Sequence, residues 1–336
     1  MQVGVAAQEA GDYAGAMALF ADAGQYADSM ARLRECCKQQ GISIYYFSEE
    51  AVNAGVDTGY AKQDTISGDD KHFGWRLGRF FLTGFTRVTA DENQQPVFIK
   101  TLGDSVTLWF DLEQDIDALN GNAQLSLAAD ANGYDQQFGI PKTNFGRGTL
   151  IVRHTDYQNA KNEPAVYTDY LAKGTTGANT RIVLHEEGDY EVALDYEVQD
   201  GELTHITSKF GNYRIFLRFS IRNGNCMVYP FDLLTGAELQ NTSVAEAGFS
   251  LDLARSRYLD INFRRAVLVE TANGVIEDER FNRPAKDGDR YTQEGIYTIS
   301  VSNRYTGEST TKTIFVGSQE LLETYVRNGF SLERLK

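Results

Sequence analysis

A short sequence pattern that occurs twice constrains the fold of this chain more than any other feature. Residues 188–192 read Gly-Asp-Tyr-Glu-Val and residues 295–299 read Gly-Ile-Tyr-Thr-Ile, and a glutamate precedes each glycine. A Gly-x-Tyr start of a strand is typical of a tyrosine corner, in which the phenol hydrogen-bonds back to the turn before the strand. The pattern therefore predicts two copies of one β-sheet domain in tandem.

Alternating hydrophobic residues support this prediction. Hydrophobic side chains occupy every second position in three clear runs, at 106–110, 190–198 and 213–221. Such alternation is typical of antiparallel strands with one core face and one solvent face. Each Gly-x-Tyr segment is followed by one more strand pattern, at 213–221 and 311–316. The spacing of the two copies is close to the roughly 100 residues of one immunoglobulin-like domain. We expect a mainly β fold with two immunoglobulin-like antiparallel β-sandwich domains.

The first 55 residues differ, because alanine-rich segments with a helical period replace the alternation. Helices are predicted at 3–10, 14–23 and about 24–40, and a further short helix at 42–53. The arrangement is similar to one tetratricopeptide-like unit plus the first helix of the next. Such a unit cannot bury its own faces, so we expect it to pack on a neighbour. Cys36 and Cys37 lie on the third helix and are expected to be packing residues.

Changes in composition predict the domain boundaries. The tetratricopeptide-like helical segment covers 1–55, and the polar stretch 56–70 is a linker. The first sandwich covers 71–223, with insertions near 130–144 and 158–179, and the second covers 224–317. Residues 318–336 form a C-terminal helix and tail, with Ser318 as the N-cap and Gly329 as the stop.

Charge and cysteine content limit the partners and the compartment. The formal net charge of −15 disfavours nucleic acid and anionic membrane surfaces, which attract clustered cations. Three cysteines without a CxxC pair predict neither a disulfide framework nor a zinc site. No apolar run is long enough to span a membrane, and no basic n-region of a signal peptide is present. Taken alone, this favours the cytoplasm, but an anchor or export signal upstream of this chain would place it at the cell surface.

No catalytic motif is recognisable. The four histidines do not form an HExxH pair, and GxSxG, P-loop and GxGxxG patterns are missing. His185-Glu186-Glu187 is best explained as an exposed turn before the first Gly-x-Tyr strand. We therefore expect a protein without enzymatic activity and without a cofactor, although paired carboxylates brought together by the fold remain an alternative.

Two groups of residues are candidates for binding. Trp109 lies on the face of its strand opposite Val106, Leu108 and Phe110, and Trp75 lies near the predicted linker. An exposed tryptophan can stack on sugar rings, whereas a covered one fills a contact between layers. Asp130, Asn132 and Asp135 offer three side-chain oxygens in a glycine-containing loop, which makes calcium possible there. The loop lacks the closing glutamate of an EF-hand, so a solvated turn is the alternative.

Four stretches of sequence resemble a known group of proteins. They are FGIPKTNFGRGTLIVRHTDYQN, EEGDYEVALDYEV, RNGNCMVYPFDLLTGAEL and FNRPAKDGDRYTQEGIYTISVSNRYTGESTTKTIFVG. Together they resemble uncharacterised proteins of Gram-positive gut bacteria, from about residue 6 onward, and residues 287–317 resemble bacterial immunoglobulin-like modules of exported and cell-surface proteins. The resemblance implies a multidomain protein tethered outside the cell, and it assigns no functional residue.

Three functions are compatible with these features. The favoured expectation is a non-enzymatic cell-surface or exported scaffold or adhesion protein that uses its sandwiches for protein–protein contacts. The first alternative is a carbohydrate-binding accessory protein with aromatic-lined loops. The weakest is a hydrolase with a site at a domain interface.

Overall fold

The computed structural model contains two compact units, Met1–Arg222 and Asn223–Lys336. It describes residues 1–23, 28–47, 78–112, 125–126, 134–135, 140–141, 149–156, 161–162, 166–169, 181–200, 209–269 and 274–329. The boundary between the units lies one residue before the predicted seam between the two sandwiches.

The first unit contains helices followed by strands. The helices are α1 (Gln2–Glu9), α2 (Tyr13–Ala23) and α3 (Ser29–Gln39). The strands before residue 150 are β1 (Tyr45–Tyr46), β2 (Gly78–Thr83), β3 (Arg87–Ala90), β4 (Pro96–Lys100), β5 (Val106–Leu112), β6 (Leu125–Ser126), β7 (Tyr134–Asp135), β8 (Ile140–Pro141) and β9 (Thr149–Asp156). They are followed by β10 (Lys161–Asn162), β11 (Val166–Asp169), β12 (Ile182–Leu184), β13 (Gly188–Asp200) and β14 (Lys209–Asn223).

These strands form two main sheets that pack on each other. One sheet has the order β1-β2-β5-β12, and the other has the order β10-β9-β13-β14-β4-β3, with β11 on β9 and β6 on β13. β7 and β8 pair separately. The predicted alternation sends one face of each sheet inward, so both sheets contribute to a single core that includes Phe80, Phe98, Val106, Leu108, Phe110, Tyr190, Val192, Leu194, Leu217 and Phe219. The mainly β, antiparallel character expected from the sequence is confirmed.

The helices pack on the outer face of the sheet that contains β2 and β5. Phe81 and Trp109 point away from the core between the sheets and join a cluster with helical residues, among them Phe20, Leu33, Cys36 and Cys37. The expectation that the helical segment packs on a neighbour is therefore confirmed. Both thiols are buried and unpaired, and burial raises the pKa of Cys37 to about 11.

One helix prediction is wrong in the part that the structure describes. The segment 42–53 was expected to be helical, but Tyr45 and Tyr46 form β1 and pair with Leu82 and Phe81 of β2. The physical reason is that β-branched and aromatic residues fit a pleated, half-buried surface, and β2 offers a free edge to them. No helix in the described part of the chain has the length and apolarity required to cross a membrane.

The second unit repeats the sheet plan on a smaller scale. Its strands are β15 (Pro230–Asp232), β16 (Ser243–Ala245), β17 (Phe249–Leu251), β18 (Asp260–Val269), β19 (Gly274–Glu277), β20 (Arg283–Pro284), β21 (Arg290–Tyr291), β22 (Gly295–Asn303) and β23 (Glu308–Val316). A 3-10 helix spans Glu279–Phe281, and α4 spans Gln319–Arg327. One sheet has the order β15-β17-β21, and the other has the order β16-β23-β22-β18-β19, with β20 on β18.

Both sheets of this unit contribute to its core, and α4 covers an outer face. The core includes Phe249, Phe263, Tyr291, Tyr297, Ile299 and Ile314. Leu322 and Tyr325 of α4 pack on Ile296 and Phe315, which point to the other side of the larger sheet. The side chain of Ser318 accepts a hydrogen bond from the Leu321 N–H at 3.2 Å, as its predicted N-cap role requires.

The two units share one strand order. The order β2-β5-β12 in the first corresponds to β15-β17-β21 in the second. The order β9-β13-β14-β4 corresponds likewise to β18-β22-β23-β16. These strands follow one another along the chain in the same sequence in both units. The shared order therefore extends the short Gly-x-Tyr repeat to the whole arrangement of each unit.

Both Gly-x-Tyr segments form the hydrogen bond that their sequence predicts. The Tyr190 hydroxyl donates to the Glu186 carbonyl at 2.9 Å, and the Tyr297 hydroxyl donates to the Gln293 carbonyl at 2.9 Å. The tyrosines face equivalent positions in the next strand, since Tyr190 is opposite Phe219 and Tyr297 is opposite Ile314. Each hydroxyl thus ties the start of its strand to the residue four positions earlier.

Candidate functional site

A cavity in the second unit is the candidate site that the described residues offer. Its volume is about 400 Å³ and it opens to solvent. The lining combines three arginines with aromatic and small polar side chains: Arg280, Arg283, Arg290, Phe281, Tyr291, Thr292, Gln293 and Tyr297. The cavity therefore brings together cations in a chain whose overall charge is strongly negative.

The cavity lies where the two sheets of this unit diverge. Arg283 is on β20, which pairs with β18 of the larger sheet, and Arg290 is on β21, which pairs with β17 of the smaller sheet. The 3-10 helix before β20 supplies Arg280. Tyr297 enters from the start of β22, immediately after its tyrosine corner. Each arginine thus comes from a different short element of the same stretch of chain.

Asp278 fixes the orientation of Arg280. Its Oδ1 accepts from Arg280 Nε and its Oδ2 from Arg280 Nη2, both at 2.8 Å. Oδ2 also accepts from Nη1 of Arg265 on β18 at 2.7 Å. Hydrogen bonds from Arg280, aided by the charge of Arg265, lower the pKa of Asp278 to about 2. The carboxylate is ionised at neutral pH, and it holds one guanidinium at the cavity while another remains buried beneath it.

The other two arginines are held less firmly. The Arg283 guanidinium lies 3.6 Å from Asp289 Oδ2, which is an ion-pair distance outside hydrogen-bonding range. Asp289 also accepts a hydrogen bond from the Tyr291 hydroxyl at 3.1 Å. Arg290 is exposed, and its side chain makes no hydrogen bond or ion pair with any residue that the structure describes. Donors on Arg283 and Arg290 are therefore free for a ligand.

The aromatic residues form the floor of the cavity and do not titrate near neutral pH. Burial raises the pKa of Tyr297 to about 12 and raises that of Tyr291 as well. Tyr291 is 2% exposed and Tyr297 is not exposed, so neither presents a ring face to solvent. Phe281 lies under the Arg265 guanidinium, 4.8 Å from the ring centroid. The floor therefore supports the arginines, and the polar contacts to a ligand come from the rim.

Positive charge exceeds negative charge at the cavity. Arg265, Arg280, Arg283 and Arg290 are opposed by the carboxylates of Asp278 and Asp289. Glu279 and Glu294 are neighbours in sequence, but they do not line the cavity. The arrangement can bind an anionic group by charge-assisted hydrogen bonds, which arginine forms in a fixed, forked geometry.

Trp109 lies far from the role of a sugar platform that the sequence suggested as one possibility. It is 5% exposed, and its indole N–H donates to the Thr83 hydroxyl at 3.3 Å. Its ring stacks on Phe81 with the centroids 6.2 Å apart, within the contact between the helices and the sheet. The exposed indole expected for sugar stacking is therefore not present at this position, because the helices cover that face of the sheet.

The remaining predicted site residues lie largely outside the described residues. This holds for Trp75 and for Asp130 and Asn132 of the calcium candidate, while of Asp135 only the backbone, in β7, is described. Within the described ranges, no three His, Cys, Asp or Glu side chains form a group suited to a metal ion. The calcium prediction stays a prediction. In the segment 185–187, His185 and Glu186 are exposed, whereas Glu187 is 6% exposed.

The sequence contains a signal for the cavity, although that signal matches no motif. Three arginines occur between residues 280 and 290, directly before the second Gly-x-Tyr pattern. Acidic residues alternate with them in this stretch, so the local charge looks balanced. The imbalance becomes visible only when Arg265 from β18 shares Asp278 with Arg280.

Comparison with known proteins identifies no family for this chain. No family model matches, and no curated protein matches. Among solved structures, domains 6–7 of the surface layer protein SbsC align with 82% of this chain and 98% of their own length, at 8% sequence identity and a TM-score of 0.15. A TM-score this low does not establish a shared fold.

Proposed function

We propose that this chain is a non-enzymatic scaffold or adhesion protein of the cell surface or of the exported fraction. Its two units are immunoglobulin-like sandwiches that mediate protein–protein contacts, and its first helices form a tetratricopeptide-like segment docked on the first sandwich. It works without a cofactor, and an anchor outside this chain attaches it to the membrane.

The observation that carries this proposal is the strand order shared by the two units. In a constant-type immunoglobulin domain, strands C, F and G form one sheet, strands A, B and E belong to the other, and the tyrosine corner lies near the start of F. The order β18-β22-β23 corresponds to C-F-G, and β15-β17-β21 corresponds to A-B-E. In the first unit the same correspondence holds for β9-β13-β14 and β2-β5-β12. Each tyrosine corner lies at the start of the strand equivalent to F.

A tandem of such sandwiches favours recognition over catalysis. The units are rigid supports that place loops and short elements at their ends, where binding residues are most often found. The cavity of the second unit lies among such elements and offers arginine donors on its rim. Carbohydrate binding has less support, because Trp109 is covered by the helices.

Labelling of intact cells tests the proposed location and role. An antibody against residues 223–336 is applied to unbroken native cells and to permeabilised cells, and a cytoplasmic enzyme serves as the control for leakage. We expect the antibody to label both preparations equally, with the control enzyme labelled only after permeabilisation. Labelling that requires permeabilisation would contradict the surface assignment and favour the cytoplasmic alternative.

A further inference from the structure

We infer that the arginine-rimmed cavity of the second unit binds a short acidic peptide segment of a partner protein, whose carboxylates pair with Arg283 and Arg290. This inference rests on the proposed function and names the chemistry of the partner. Its starting point is the convergence of three guanidinium groups on one cavity of about 400 Å³.

The available donors support an anionic ligand. Arg290 has no partner among the described residues, and Arg283 stands 3.6 Å from its carboxylate. Their hydrogen-bonding capacity is therefore not consumed within the unit. A guanidinium presents five N–H groups in a planar fork that matches a carboxylate in bidentate fashion.

The third arginine is oriented before any ligand arrives. Arg280 is held at two nitrogens by Asp278, and its side chain is still 82% exposed. A donor that is held in place loses less conformational entropy on binding than a free side chain does. Asp278 thus acts as a positioning residue for one wall of the cavity.

The surroundings favour a peptide over an acidic sugar. Sugar sites commonly use an exposed aromatic face, but Tyr291 and Tyr297 are buried and contribute only the floor. Thr292 and Gln293 at the rim are exposed and offer small polar groups suited to peptide amides. The net charge of −15 repels a uniformly acidic partner at long range, so the ligand is a short acidic segment.

The test uses the full chain and a fluorescein-labelled Gly-Glu repeat peptide, with fluorescence anisotropy as the readout. A Gly-Gln repeat peptide controls for charge, and an oligogalacturonate of matched charge competes as the acidic sugar. The variant is the double substitution R283Q/R290Q. The control variant is Arg327→Gln, because Arg327 on α4 is equally exposed and does not line the cavity.

We expect the wild-type chain to bind the Gly-Glu peptide and not the Gly-Gln peptide. R283Q/R290Q weakens binding roughly tenfold or more, since hydrogen bonds to charged groups contribute about 1.5–3 kcal/mol each. Arg327→Gln leaves the affinity unchanged. Near-ultraviolet circular dichroism shows that all variants remain folded, because the exchanged side chains are exposed.

Three results would overturn the inference. They are no binding of the Gly-Glu peptide by the wild-type chain, equal affinity of the double variant, or displacement by oligogalacturonate at lower concentration than by unlabelled peptide. The intact-cell experiment is independent of this outcome. If the antibody labels intact cells but the peptide does not bind, the scaffold proposal stands and the cavity assignment fails.

Discussion

At the scale of single residues, each tyrosine corner depends on a phenol and a glycine together. The phenol ties the strand to the preceding turn, and the glycine two positions earlier allows the neighbouring strand to come close. A Cβ on Gly188 would lie 2.1 Å from His154 Nε2, and one on Gly295 would lie 2.7 Å from the Ala266 carbonyl oxygen. Both glycines also adopt positive φ angles, of 152° and 142°. The repeat in the sequence therefore preserves a steric requirement and a hydrogen bond.

Removal of either phenol hydroxyl is expected to destabilise only its own unit. Tyr190→Phe and Tyr297→Phe each remove one hydrogen bond, which contributes about 1 kcal/mol to the free energy of unfolding. Both tryptophans belong to the first unit, and Cys226 is the one cysteine of the second. Urea unfolding followed by tryptophan fluorescence should shift for Tyr190→Phe, and alkylation of Cys226 in urea should shift for Tyr297→Phe. A shift of both probes by both variants would contradict this expectation.

Alanine at the glycines of the repeat is expected to be more harmful than alanine at a loop glycine. Gly295→Ala introduces a close contact in addition to an unfavourable φ, so we expect a loss of about 2–4 kcal/mol. Gly307→Ala is the matched control, because Gly307 also has a positive φ, of 74°, but a Cβ there meets nothing within 4 Å. Its expected loss is about 1–2 kcal/mol from backbone strain alone. Equal losses in urea unfolding would show that the close contact is relieved.

The Asp278 carboxylate is expected to make the second unit sensitive to acid. Its pKa is lowered to about 2 by Arg280 and Arg265, below the ordinary value near 3.8. A carboxyl with a depressed pKa stabilises the fold above its unfolded pKa, and this stability is lost as the pH falls from about 4 toward 2. Asp278→Asn should therefore lower the melting temperature at pH 7 and flatten its dependence on pH in that window. An unchanged slope would rule out Asp278 as the titrating group.

At the scale of elements, the helices and the first sandwich form one layered structure. α1–α3 cover Phe81 and Trp109, and Arg34 of α3 forms an ion pair with Asp111 of β5. The sequence predicted the helices but assigned them to a separate segment before a linker. The face of a sheet that a helix covers depends on contacts distant in sequence, which periodicity does not report.

Trp109→Ala tests this layer directly. Loss of a buried aromatic ring is expected to lower the free energy of unfolding by roughly 3–5 kcal/mol. Cys36 and Cys37 should then react faster with iodoacetamide, because the helix that carries them packs less firmly. Phe216→Ala is a suitable control, since Phe216 packs in a cluster separate from the helices. Full stability of Trp109→Ala would indicate that the ring is free for a ligand, as the sugar hypothesis requires.

The elements predicted from sequence are those whose cause is local. Tyr190, Tyr297 and Ser318 each bond to backbone groups within four residues, so a short motif is sufficient to recognise them. β1 was missed because its two residues become a strand only by pairing with β2. The cavity was missed for a similar reason, since Asp278 meets Arg265 across a strand pair that is not apparent from residue spacing.

At the scale of the whole molecule, the chain contains two units with the same strand order and separate cores. Each unit is extended by helices on an outer sheet face, α1–α3 in the first and α4 in the second. A core that includes residues from both sheets of one unit does not need the other unit for its burial. We therefore expect each unit to fold on its own.

Expression of residues 223–336 alone is the measurement that tests this account most directly. We predict a fragment with a β-type circular dichroism spectrum, a cooperative urea transition, and the same loss of about 1 kcal/mol on Tyr297→Phe as in the full chain. The parallel fragment 1–222 should respond to Tyr190→Phe in the same way. An unfolded 223–336 fragment, or one that is insensitive to Tyr297→Phe, would contradict the conclusion that the second unit is a complete sandwich organised by its tyrosine corner.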